Sequence, residues 1–113
     1  MVKLLKQIKD EILGKNYILS LAFIDAAKMK KINRIYRGQN KAANILSFAF
    51  SKNEGEILLN KARIKKETAL FGLPYRKLLG RLFIHGCLHL KGIQHSSKME
   101  RAEKKWQNTF QLE

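Results

Sequence analysis

Apolar positions along the chain recur first with helical and then with strand-like spacing. Between Val2 and Leu13, Leu5, Ile8 and Ile12 fall on one side of a helix with lysines and acids between them, and Gly14 supplies a stop. The run YILSLAFI, Tyr17 to Ile24, is short and rich in aromatic and β-branched residues, which predicts a buried strand. Asp25 is placed to cap a second helix that runs to about Tyr36, burying Ala26, Met29 and Ile32, and the triplet Tyr36, Arg37, Gly38 ends it. ANILSFAF, Ala43 to Phe50, predicts a second strand. After the turn-forming stretch Ser51 to Gly55, EILLN predicts a third, giving an antiparallel hairpin. Asn60 then caps a helix through Leu70, closed by Gly72 and Pro74.

The next helix, from about Tyr75 to Lys91, is apolar nearly all the way round through Leu78, Leu79, Leu82, Phe83, Ile84, Leu88 and Leu90, as a central core helix must be. Ser97 and Glu100 have capping-box spacing and predict a last helix with Met99, Ala102, Trp106 and Phe110 on its inner stripe. These elements predict an α+β fold: a small mixed sheet of about three strands covered by about five helices, with the histidine-bearing helix at the centre. Residues 1–113 read as a single domain, without repeats or linkers.

Charge changes this picture. Lys and Arg number 23 against 9 Asp and Glu, so the formal charge is +14, well beyond the magnitude of roughly 2–8 that suits a small soluble domain. The bases are clustered: Ala26 to Asn53 holds Lys28, Lys30, Lys31, Arg34, Arg37, Lys41 and Lys52 with no acid, and Thr68 to Met99 holds Arg76, Lys77, Arg81, Lys91 and Lys98. A polyanionic partner explains this, with a solvated lysine-rich surface as the plain alternative. A single cysteine excludes an internal disulfide, and no apolar run at the amino terminus is long enough for a signal peptide or membrane helix. The expectation is a reducing, cytoplasmic setting with no membrane partner. Cys87 lies two positions from His85, on roughly the other side of the helix, and is read as core.

The chemistry is concentrated in HGCLHLKGIQH. All three histidines of the chain are here, His85, His89 and His95. Residues four apart on a helix differ by about 40° around the axis and roughly 6 Å along it, so His85 and His89 project from one face. Gly92 suits a helix stop, after which the reversed chain brings His95 back to the same point. Three imidazoles with one open tetrahedral position is a catalytic zinc arrangement, and one zinc ion per chain is expected. The histidines and Gly92 match the metzincin pattern H-E-x-x-H-x-x-G-x-x-H. The general-base glutamate of that pattern is replaced by Gly86, which removes peptide hydrolysis and is expected to leave space beside the metal.

With these residues in view, the chain resembles the YbeY family of bacterial metal-dependent endoribonucleases that act in rRNA maturation and ribosome quality control. The family's H-G-x-L-H-L-x-G-Y-D-H is met by HGCLHLKGIQH, its Y-R-G by Tyr36 to Gly38, its D-V-L-S-F by NILSF at Asn44 to Phe48, and its G-D-I by Gly55 to Ile57. Gln94 and Ile93 stand where the family has aspartate and tyrosine, and the expectation is a chain that begins with its first helix in place of the N-terminal strand common in the family. The resemblance implies His85, His89 and His95 as metal ligands and Arg37 as the arginine of the substrate cavity, with Ser47 and Phe48 on the strand beside it. It further implies RNA, specifically rRNA, as substrate and the ribosome or its proteins as partners. Catalysis would combine zinc, which acidifies water to a pKa of about 7, with Arg37 neutralising charge on the phosphorane. Lys30, Lys31 and Arg34 with Lys61, Arg63, Lys65 and Lys66 would hold the RNA backbone without reading sequence. The alternative is a ribosome-assembly RNA-binding factor whose metal is structural.

Overall fold

A computed structural model of the protein describes residues 2–38, 43–94 and 96–113 and, at Arg37, the backbone alone. Within these residues the order is α1 (Val2–Leu13), β1 (Ile18–Ile24), α2 (Ala26–Arg37), β2 (Ile45–Ser51), β3 (Glu54–Asn60), α3 (Lys61–Phe71), α4 (Tyr75–Leu90) and α5 (Ser97–Thr109). The α+β architecture predicted from the hydrophobic pattern is the one observed.

The sheet has strand order β1-β3-β2. β3 is central because it pairs on both sides: in parallel with β1, from Ile18 opposite Glu54 to Ile24 opposite Asn60, and antiparallel with β2, from Ile45 opposite Leu59. The register shifts between Ala49 and Ser51, beside the hairpin turn, and pairing resumes with Ser51 opposite Glu54. Alternation along β3 then sorts the core into two layers. Ile57 and Leu59 join the main cluster with α1 and α4, around Ile8, Leu79, Phe83, Ile84 and Leu88. Leu58 turns to the other face and packs with Leu46 and Met29 under α2. On β2, Leu46 and Phe48 follow Leu58 toward α2, so Ser47 between them points to the α4 side.

Local signals account for the helix ends. The Asp25 carboxylate accepts from the Lys28 N–H at 2.8 Å, and the Asn60 side chain accepts from the Arg63 N–H at 3.2 Å, as capping residues do. One start differs from expectation. The cap of α5 is Ser96, whose hydroxyl accepts from the Met99 N–H at 3.3 Å, and Ser97 is the first helical residue. Met99 has to point into the core, where it is 1% exposed, and that sets the phase of α5 one residue earlier than the Ser97–Glu100 spacing implies.

β1 also departs from the sequence reading. Ile18, Leu21 and Phe23 are 64%, 37% and 47% exposed, so the strand is an open edge instead of a buried one. Its neighbour β3 satisfies one side only. Between α1, β1 and the start of α4 lies an apolar groove of about 710 Å³, whose walls include Leu5, Tyr17, Leu21, Phe23, Leu79 and Phe83, with Lys6, Lys9 and Lys61 among its lining residues. No helix among the described residues is long and apolar enough to cross a membrane.

Candidate metal and substrate cavity

On the opposite flank of α4 a smaller cavity, about 370 Å³, opens between the helix, the start of β2 and α5. Arg81, Leu82, His85 and His89 come from α4, Asn44, Ile45 and Ser47 from the β2 region, and Glu103 from α5. The four-residue spacing works as the sequence implied. The Nε2 atoms of His85 and His89 are 2.9 Å apart, with the rings nearly perpendicular at 85°.

That separation is a test of fit for a divalent ion. Two imidazole nitrogens each about 2.0–2.1 Å from one zinc ion, at a tetrahedral angle, lie about 3.3 Å apart, so the pair needs to open by only a few tenths of an ångström. The donors are also the nitrogen type zinc takes. Among the described residues no set of three His, Cys, Asp or Glu side chains gathers at one point. His95, expected as the third ligand, lies outside the described residues. What precedes it is as expected: Gly92 has φ +98 and the Ile93 N–H returns to the Leu88 carbonyl at 3.0 Å, the reversal that closes a helix through a left-handed residue.

Behind His85, on the ring edge away from His89, Nδ1 is 3.1 Å from Glu103 Oε2. The two side chains are about one-fifth exposed, 23% and 22%, so solvent weakens the pair without abolishing it. Arg81, one turn before His85, donates from Nε to the Leu112 carbonyl at 2.6 Å. Asn44 is steadied from outside the cavity, its Nδ2 donating to Glu67 Oε1 at 3.0 Å. Arg81, Asn44 and Glu103 were not singled out from sequence. Arg81 had a signal, since positions 81, 85 and 89 form one ladder of four-residue steps. Glu103 had none beyond its place beside the α5 stripe.

Gly86 has a different role from the one expected. A Cβ there would lie 2.9 Å from Ile45 Cδ1, 2.9 Å from Ser47 Oγ and 3.1 Å from Ile57 Cδ1. The room made by the missing side chain is filled by the sheet, because position 86 faces β2 and β3. Gly86 thus lets α4 settle low enough for Ser47 to share a cavity with the histidines. Cys87 is fully buried, as read from sequence, and burial pushes its thiol well above the usual cysteine range, with Lys9 opposing weakly.

The side chain of Arg37 is outside what the structure describes, and only its backbone, at the end of α2, is placed. The neighbouring Tyr36 ring meets Phe48 edge-on at 5.6 Å, which sets this end of α2 against β2, the strand carrying Ser47. Lys30, Lys31 and Arg34 surround a shallow depression with Ala27 on α2, the layer across the sheet from α4.

The sequence model of Endoribonuclease YbeY matches residues 1–111. The chain is 36% identical to Endoribonuclease YbeY of Persephonella marina over 87% of its own length and 67% of that protein's. It is 37% identical to the protein of that name from Buchnera aphidicola subsp. Schizaphis graminum, over 74% of the chain and 58% of the relative. The chain therefore spans 58–67% of the length of such relatives. The solution structure of TM1509 from Thermotoga maritima superposes with a TM-score of 0.66 at 27% identity, covering 93% of this chain and 79% of that one. Shared sequence along nearly the whole chain, the same fold and the HGCLHLKGIQH motif put this protein in the Endoribonuclease YbeY family.

Proposed function

We propose that the protein is a metal-dependent endoribonuclease acting on rRNA in its maturation and in ribosome quality control, with zinc as the ion. The observation that carries this reading is the convergence of His85 Nε2 and His89 Nε2 at 2.9 Å in an open cavity beside a cationic side chain. His85, His89 and His95 would hold the ion. When bound, zinc supplies Lewis-acid chemistry at a phosphoryl oxygen and acidifies water near neutral pH.

The chain's own residues supply the rest. Arg81 is tethered through Nε to Leu112, which leaves its terminal N–H groups to meet a phosphate, and Arg37 is proposed as a second cation from the β2 side. Ser47 and Asn44 offer a hydroxyl and an amide on the opposite wall for orienting the ribose-phosphate backbone. The charge of +14 draws a polyanion to the surface at large, and Lys30, Lys31, Arg34 and the α3 cations extend the contact to phosphates away from the cavity. Ribosomal partners would then choose the cleavage site, and the lone buried thiol is consistent with a reducing, cytoplasmic setting.

A single-turnover cleavage assay on single-stranded rRNA fragments with zinc-loaded protein tests this. His89→Ala is expected to reduce cleavage by more than about a hundredfold, beyond what loss of a group behind a ligand costs, with its circular dichroism unchanged. Equal cleavage by both proteins overturns the nuclease reading. RNA binding without cleavage by the wild type assigns a ribosome-assembly role with a structural metal.

A further inference from the structure

We infer that Glu103 is a positioning residue that holds the His85 proton on Nδ1 and so presents the Nε2 lone pair to the point shared with His89; the metal consequence rests on the reading proposed above. A neutral imidazole carries one proton on either of two nitrogens, and only the bare nitrogen can ligate. An unassisted ring favours the proton on Nε2, the atom that here faces His89. A carboxylate accepts hydrogen bonds and does not donate when ionised, so its place 3.1 Å from Nδ1 favours the opposite tautomer. Glu103 sits on the far edge of the ring from the His85–His89 contact, which makes it an orienter of the ligand, distinct from a ligand at that point.

The fold holds Glu103 there from several sides. Ser96 caps α5, Met99 is buried one turn before Glu103, and Trp106, packed on the core and stacked on Phe110 at 6.2 Å, follows within the next turn. Glu103 is thereby kept at the edge of the buried stripe, reaching across to α4. Carboxylate–histidine–metal relays of this kind set ring orientation and ligand basicity.

Three histidines make the test legible by nitrogen NMR of histidine-labelled, metal-free protein in the neutral-ring form. Wild type is expected to show His85 protonated on Nδ1. Glu103→Met, which keeps length and helix propensity, is expected to move that proton to Nε2 and to weaken zinc, measured by competition with a chromogenic chelator, about 10–100-fold. Glu103→Gln, whose amide oxygen still accepts from Nδ1, is expected to retain the Nδ1 tautomer and to lose less affinity. Circular dichroism and Tm should stay near wild type in each. An unchanged His85 tautomer in Glu103→Met, or an unchanged zinc affinity, overturns the inference. A wild-type protein that takes up no zinc sinks the metal reading instead, and the metal-free spectra still decide the tautomer.

Discussion

The two flanks of α4 carry cavities of opposite character. The groove toward α1 and β1 is nearly twice the volume of the histidine cavity, about 710 against 370 Å³, and is walled by Leu, Phe and Tyr side chains with lysines at its margins. The smaller one gathers His85, His89, Arg81, Glu103, Ser47 and Asn44. A large apolar pocket is the usual first guess for a functional site, but the guess requires convergent polar groups as well. Here size and chemistry part company. The groove exists because an edge strand is covered on one side only, whereas the histidine cavity is shaped by close helix–sheet contact and is lined by side chains that are individually held.

The comparison breaks first at Arg81. If the small cavity does the chemistry, Arg81→Ala should lower turnover on RNA by about a hundredfold, the order seen when one preorganised donor to transition-state charge is removed, while zinc affinity is retained. Turnover near wild type would transfer the phosphate-binding role to Arg37. Gly86→Ala sharpens the same point through packing. The added methyl meets Ile45 and Ser47 at 2.9 Å, so either α4 or β2 must shift, at a cost of about 1–3 kcal/mol in chemical denaturation. Cleavage should fall as well, because the shift separates Ser47 from the histidines.

The groove flank is tested by alkali. Cys87 faces away from the histidines, and its charge influences Tyr17, which lines the groove. Its folded pKa is raised by burial, so the folded protein keeps the proton that the unfolded chain releases above about pH 8.5. Stability is then full below that pH and falls as pH rises, by about 2 kcal/mol at pH 10. Tyr17 and Tyr75, also raised by burial, add to the loss higher up. Cys87→Ala should flatten the decline between pH 8 and 10, and an unchanged slope would show that the thiol is not its source. The smallest effect is expected from Leu21→Ser with Phe23→Ser, which makes the groove polar: RNA turnover unchanged, stability lower by about 1 kcal/mol. A large drop in turnover would show that the groove belongs to the substrate path.

Local residues foretold the parts of the molecule that local physics controls. Asp25 and Asn60 cap their helices because a short side chain reaches the N–H three residues on, whatever surrounds it. His85 and His89 converge because four residues is close to one helical turn. Where two elements have to be brought together, local pattern is not enough. Ser97 had the better capping pattern but Ser96 caps α5, since burial of Met99 decides the helix phase. YILSLAFI has the composition of an interior strand and lies at an edge, because composition reports affinity for a core and not which neighbours are present. Gly86, expected from its place in the motif to leave space beside a metal, is the contact point of helix and sheet.

The sequence alone thus determined the order and kind of the elements, the caps of α2 and α3 and the paired imidazoles, all of which arise from spacings within about one or two turns. The partnership of His85 with Glu103 and of Arg81 with Leu112 joins residues 18 and 31 positions apart. Those distances are spanned by no local period. They depend on how α5 and the tail after it lie against α4, and only the packed core settles that orientation, because burying Met99 and Leu112 together leaves the surrounding polar groups little choice of partner.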